Sequence, residues 1–181
     1  VNKLRTKTDE WIAHYHDDVG RTAGWGHNFF CEHCKANLVF DLRSPDNHRC
    51  GKCGKTTSNQ GASEAWTAYY RSGSCGLVFD AAVLYKLYGD EKYVGYIRKV
   101  LEFLSENRER FQINAYKPFV GVFSGTNLID AICVQKLLMG LELVRDRFDE
   151  AELARYYRDF FAPMAEFFTT AEGGTPNISC W

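Results

Sequence analysis

At 181 residues the chain suits one domain, or one domain carrying a small insert, and 45% hydrophobic with 15% aromatic residues is ample for a packed core. A formal charge of −1 provides no global field to recruit nucleic acid or an anionic membrane surface. No apolar run approaches the roughly 20 residues needed to cross a bilayer; with no signal-peptide pattern and a chain that begins at Val1 rather than Met, a leader or longer N-terminal part is left open, as is the compartment.

Residues 1–26 read as an N-terminal helix over 7–18 and a glycine-bearing turn from Gly20 to Gly26. His14 and His16, two apart on that helix, point in different directions and make a poor metal pair. Residues 27–60 form a cysteine region. Cys31-x₂-Cys34 and Cys50-x₂-Cys53 are separated by fifteen residues, a spacing that suits two knuckles closing one S₄ shell around zinc. Such a shell has no open position for water or substrate, so the expected zinc is structural. Redox or disulfide use is the other reading, but the seven cysteines are odd in number and four have metal spacing. His33 and His48 adjoin the knuckles, yet four cysteines suffice without them, and surrounding or exposed positions are expected for both. Between the knuckles, Leu38 to Leu42 is a plausible strand and Ser44 to Asn47 a turn, which together describe a zinc ribbon. Cys133 reads as a buried small hydrophobe.

Residues 61–181 read as helical hairpins, beginning with a helix capped near Ser63 and continuing as helix to about residue 171. Leu77 to Tyr88 is apolar nearly all round, Gly89 can end it, and Asp90 can cap the next helix. That next helix is amphipathic, with Tyr93, Ile97, Val100, Leu101 and Leu104 on one stripe. The pair then recurs: Leu128 to Val144 is again apolar nearly all round, Asp149 and Glu152 make a capping-box start, and Leu153 to Phe168 carry an aromatic core stripe that Pro163 should kink. Asp80-Ala81 and Lys86-Leu87 match Asp130-Ala131 and Lys136-Leu137 at an offset of 50 residues. A buried helix followed by an amphipathic one, repeated, indicates stacked α-hairpins in two layers. The fold class expected is mainly α, an incomplete α/α toroid with a small β zinc-ribbon insert, since two hairpins cannot close a ring.

The order Gly24-Trp25-Gly26-His27, Phe29-Phe30, first knuckle, Leu38 to Asp41, Pro45, and His48-x-Cys50-x₂-Cys53-Gly54 resembles the heparinase II/III-like polysaccharide lyases. The likeness continues through Ala65-Trp66, Ala81 to Tyr93, and Asn177-x₃-Trp181. The resemblance implies an α/α toroid joined to a C-terminal β-sandwich, so the remainder of the same protein, with further toroid helices and the sandwich, is an expected partner of this chain. It also implies cleavage of anionic, uronic-acid-containing polysaccharide, of alginate or glycosaminoglycan type, by β-elimination. Asn177 matches the family's carboxylate-contacting Asn and is the catalytic candidate; Pro176 stands where relatives often have His, and the catalytic Tyr and a further His are implied downstream of Trp181.

Trp181 could stack on sugar or pack in the core. Trp66 and Arg71, with Tyr69 and Tyr70, open the first long helix, where rings plus one Arg suit an anionic sugar and packing is the bland alternative. Trp25, His27 and Asn28 either line a cleft or form a turn that buttresses the ribbon. Two rival functions remain. Lys35, Arg43, Arg49, Lys52 and Lys55 give the ribbon a modestly basic edge that would serve a non-enzymatic module binding nucleic acid or protein, although Glu32, Asp41 and Asp46 dilute it and make nucleic acid a poor fit. A glycoside hydrolase would need two opposed carboxylates, and no such pair stands out.

Overall fold

The computed structural model describes residues 1–16, 18–114 and 120–170, and within them the chain is mainly α with two small two-stranded sheets. Helix α1 (Asn2–His14) ends earlier than the sequence predicts. Tyr15 is extended, and the next residue is captured by α2: the His16 N–H donates to the Tyr70 hydroxyl at 3.0 Å, and that hydroxyl donates to the His16 carbonyl at 3.1 Å. Two tertiary bonds here outweigh one more helical turn.

Strand β1 (Ala23–Gly24) follows, then a 3₁₀ turn over Gly26–Asn28 and the cysteine region with strands β2 (His48–Arg49) and β3 (Thr56–Thr57), which pair antiparallel. The strand expected over 38–42 shrinks to bridges at Asn37 and Leu38, plus a Val39 N–H donated to Arg49 at 2.8 Å. Beyond it the backbone turns because Phe40 is drawn into an aromatic stack. Its ring lies 5.9 Å from Trp11 and 5.7 Å from Trp66, so one ribbon side chain sits between α1 and α2.

Helix α2 (Gln60–Tyr88) starts at Asn59, whose side chain accepts the Ala62 N–H at 2.8 Å, rather than near Ser63. It ends, as expected, on Gly89 in the left-handed region, after which Asp90 caps α3 (Glu91–Asn107). Tyr93, Ile97, Val100, Leu101 and Leu104 are all buried. The next nineteen or so residues, read as helical from sequence, include a second break: strand β4 (Ile113–Asn114) pairs in parallel with β1 across the chain, and residues 120–126 form a loop. Helix α4 (Asn127–Leu143), α5 (Glu150–Tyr156) and α6 (Ala162–Thr170) complete the described fold. The Asp149–Glu152 capping box forms at α5, with bonds of 2.8 and 3.1 Å. At Pro163, where the sequence predicts a kink, a π-helical turn over Tyr157–Phe161 interrupts the α-helical coil and the proline falls in the first turn of α6.

Helix α2 packs on α4 and α3 packs on α5, so the two hairpins stand side by side, with Cys75, Val78, Leu137 and Leu141 in the inner seam and Tyr156, Phe160 and Met164 sealing the far side. Cys133 is buried as expected. One face of α4 stays exposed among the described residues. Ile129, Ile132, Met139 and Leu143 project from it, within one helical stripe.

Candidate metal centre

The four cysteines converge. Their Sγ atoms all lie within 4.8 Å of one another, with Cys31 against Cys53 at 3.7 Å and Cys34 against Cys50 at 3.5 Å. A tetrahedral zinc with bonds of about 2.3 Å requires sulfur–sulfur edges of about 3.8 Å, so the donor set fits such an ion in kind and in spacing. The two knuckles are built alike. In the first, the Lys35 N–H returns to the Cys31 carbonyl at 2.8 Å and the Cys31 N–H reaches Ala36 at 2.7 Å; in the second, Gly54 returns to Cys50 at 3.1 Å and Cys50 reaches Lys55 at 2.8 Å. Both turns need a left-handed residue directly after the second cysteine. Gly54 takes it freely at φ 72°, and Lys35 takes it at φ 58°, at a cost of roughly 1 kcal/mol for an L side chain. Backbone N–H groups of Cys53 and Lys52 donate to Cys50 Sγ over 3.5 and 3.4 Å and pull that thiol down to about 6, while burial and the neighbouring sulfurs push Cys53 up to about 11, so one thiolate forms ahead of its partner.

The site is anchored from behind. His48 is buried rather than exposed, edge-on to Phe29 at 5.0 Å, and burial holds its pKa below the usual value. His33 is exposed. Arg21 grips Asp46 with two bonds of 2.6 and 3.0 Å and lies 5.4 Å over the Trp66 ring; its guanidinium holds the Asp46 carboxyl below the ordinary range.

The sugar-binding candidates of α2 have structural surroundings. Trp66 is 1% exposed, and its indole N–H donates to the Asp41 carbonyl at 2.8 Å. Arg71 is 5% exposed and gives its N–H groups to the carbonyls of Phe123 (2.9 Å), Asp18 (3.2 Å) and Arg21 (2.5 Å), while burial lowers its pKa to about 10. Neither side chain presents a face to solvent in this arrangement, because each closes a gap between α2 and a loop. Asn177 and Trp181 lie outside the described residues.

Compared with known proteins, the chain matches no family model, no curated protein and no solved structure. The functional reading therefore stands on residues and geometry.

Two buried acids escaped the sequence reading. Asp130, fully buried at the start of α4, accepts N–H bonds from Val122, Phe123 and Ser124 and the Ser124 hydroxyl, and so shapes the 120–126 loop that Arg71 holds from the other side. Glu64 accepts from Gln60 at 2.7 Å and Asn114 at 2.8 Å, fastening β4 to α2. The match of Asp80 to Asp130 in sequence had marked a repeat, not a carboxylate inside a loop.

Proposed function

We propose that the chain is the helical part of a polysaccharide lyase that cleaves uronic-acid polymers by β-elimination, that its hairpins belong to an α/α toroid, and that the four cysteines hold a structural zinc in a ribbon. The observation that carries this reading is the ordered motif set, Gly24 to His27, the two knuckles and the Ala65-Trp66 helix, on a chain whose hairpins stack side by side.

In the reaction a base removes the proton α to the uronate carboxylate and an acid protonates the departing glycosidic oxygen. That C–H is a poor acid while the carboxylate is anionic, so an amide that hydrogen-bonds the developing enediolate lowers the barrier; Asn177 is the residue proposed for it. Zinc ringed by four thiolates would contribute folding energy rather than activate substrate. The described part of the chain supplies the scaffold: Phe40 and Trp66 lock the ribbon onto α2, and Arg71 ties the N-terminal loop and the 120–126 loop to the same helix.

The full-length protein, incubated with alginate and with glycosaminoglycans, should produce the ultraviolet absorbance of a new C4–C5 double bond. No absorbance on any uronate polymer, beside active control lyases, overturns the reading. Exposure of Lys35, Arg49, Lys52 and Lys55 around the knuckles favours one second reading, a ribbon that binds an acidic partner or nucleic acid; binding that falls steeply with salt, in a protein without lyase activity, is its signature.

A further inference from the structure

Tyr69 stands three residues beyond Trp66 on α2, yet its environment is the opposite. Two cavities, of about 480 and about 320 Å³, lie side by side and share Gly26 and Tyr69 in their walls. Each is in the size range of small-ligand sites, roughly 300–1,000 Å³. The ring between them is 43% exposed but fixed in place. Its hydroxyl donates to the Gly26 carbonyl at 2.9 Å, and Phe29 and Phe40 meet it edge-to-face at 5.6 and 6.5 Å. Gly26 permits this closeness, because a Cβ there would press on the Tyr69 hydroxyl and ring at 3.2 to 3.3 Å. An aromatic face that is open to solvent and already immobilised can stack a ligand with little further loss of entropy.

The polar groups around the ring are neutral apart from one cation. His27 and Asn37 lie on the ribbon side; on the helical side lie Ser72, whose hydroxyl is given to the Tyr69 carbonyl at 3.1 Å, Thr126, whose hydroxyl caps α4, and Lys136. Among the described residues neither cavity is walled by a carboxylate, and the Lys136 ammonium rests 5.1 Å over the Phe79 ring. An aromatic face, the Asn37 amide, the His27 ring and a single cation complement a ligand with C–H ring faces, hydroxyl edges and about one negative charge per unit or fewer. A nucleic acid also stacks, but it brings a phosphate per nucleotide and calls for a track of cations that these walls lack.

We propose that this cleft, divided by Tyr69, seats a stretch of an anionic oligosaccharide, with one sugar ring on the Tyr69 face and the carboxylate of another unit toward Lys136, whose ammonium stands about 15 Å along α2 beside Phe79. The identity of the sugar as a uronate rests on the lyase reading above.

Calorimetric titration of the full-length protein with alginate and heparan-type tetrasaccharides tests it, with maltotetraose and single-stranded DNA as the neutral and nucleic-acid arms. Tyr69→Ala and Lys136→Ala should each weaken a uronate tetrasaccharide at least about tenfold, while Tyr69→Phe, which keeps the ring, should stay within about threefold. Lys136 stands half-buried on the exposed stripe of α4 between Ile129 and Leu143, so its variant keeps the test open even if Tyr69→Ala unfolds. Uronate binding unchanged in folded Tyr69→Ala and Lys136→Ala overturns the cleft, as does absence of uronate binding, equal affinity for maltotetraose, or preference for DNA. Unsaturated products released with wild-type KM by both variants would sink the cleft and leave the lyase reading standing. Tetrasaccharide binding that both variants lose, in a protein that makes no unsaturated product, would do the reverse.

Discussion

The indole N–H of Trp66 donates to the carbonyl of Asp41 over 2.8 Å, and this bond joins the first long helix to the chain between the knuckles. Around it lie Phe40, Tyr70 and the Arg21 guanidinium, so the ribbon is held by one buried aromatic cluster rather than by strand pairing.

Trp66→Ala should therefore destabilise the protein by about 3–5 kcal/mol, the usual range for deleting a buried large aromatic. Trp66→Phe should cost less, retaining part of the stack while leaving the Asp41 carbonyl without its donor, a loss of about 1 kcal/mol or somewhat more. Urea unfolding of both variants measures the difference. Equal stability of Trp66→Phe and wild type would show that the bond to Asp41 is not a support of the ribbon.

Arg71 is the corresponding clamp on the other side of α2. Arg71→Ala leaves the carbonyls of Phe123, Asp18 and Arg21 without this donor, and the expected loss is about 3 kcal/mol. Arg71→Lys should recover only part of it, since a single ammonium on a flexible stem lacks the guanidinium fork that reaches three carbonyls at once. Amide hydrogen exchange should report faster opening of residues 120–126 in both variants. A variant with unchanged protection there would contradict the clamp.

Asp130 gives the fold a dependence on pH. Burial pushes its carboxyl up to about 6 from an ordinary value near 3.8, against the Ser124 hydroxyl and the backbone donors that pull it down. The folded state thus holds this proton more tightly than the unfolded chain. Its contribution is full below about pH 4 and is lost as pH rises to about 6, on the order of 3 kcal/mol over that window. Asp130→Asn removes the titration, so the wild-type advantage over that variant should shrink between about pH 4 and about pH 6 and then level off. Unfolding free energies of the two proteins, measured across this range, should converge as pH rises; parallel curves would contradict the assignment.

The cysteine quartet yields a metal prediction. Purified protein should carry about one zinc per chain, and a chelator should loosen the ribbon first. Cys31→Ser and Cys53→Ser should lower stability and zinc content without altering polymer preference. Loss of turnover in a variant that stays folded would instead mean that the metal takes part in chemistry.

What the sequence disclosed was local. Gly89 and Asp90, the Asp149–Glu152 box and the cysteine spacing each depend on hydrogen bonds or ligands a few residues apart, and the chain cannot satisfy them in many ways. The departures arose where distant residues intervene. Tyr70 ends α1 by capturing His16, Phe40 leaves its strand for the rings of Trp11 and Trp66, and β1 finds β4 some ninety positions later. Trp66 and Tyr69 are alike in sequence as aromatic openers of α2, and only the placement of the Asp41 loop buries one and exposes the other. A cleft of this kind has no spacing signature.

The lyase reading is tested most directly by the products themselves. Full-length protein should be incubated with alginate and with heparan-type polymer in heavy-oxygen water, and the oligosaccharides weighed by mass spectrometry. β-Elimination predicts products one water lighter than hydrolysis would give, unsaturated at the new non-reducing end and free of solvent oxygen from the cleavage step. Saturated products that carry one heavy oxygen at the cut would contradict the account and identify a hydrolase, and an intact polymer would leave the ribbon and its hairpins as a binding module.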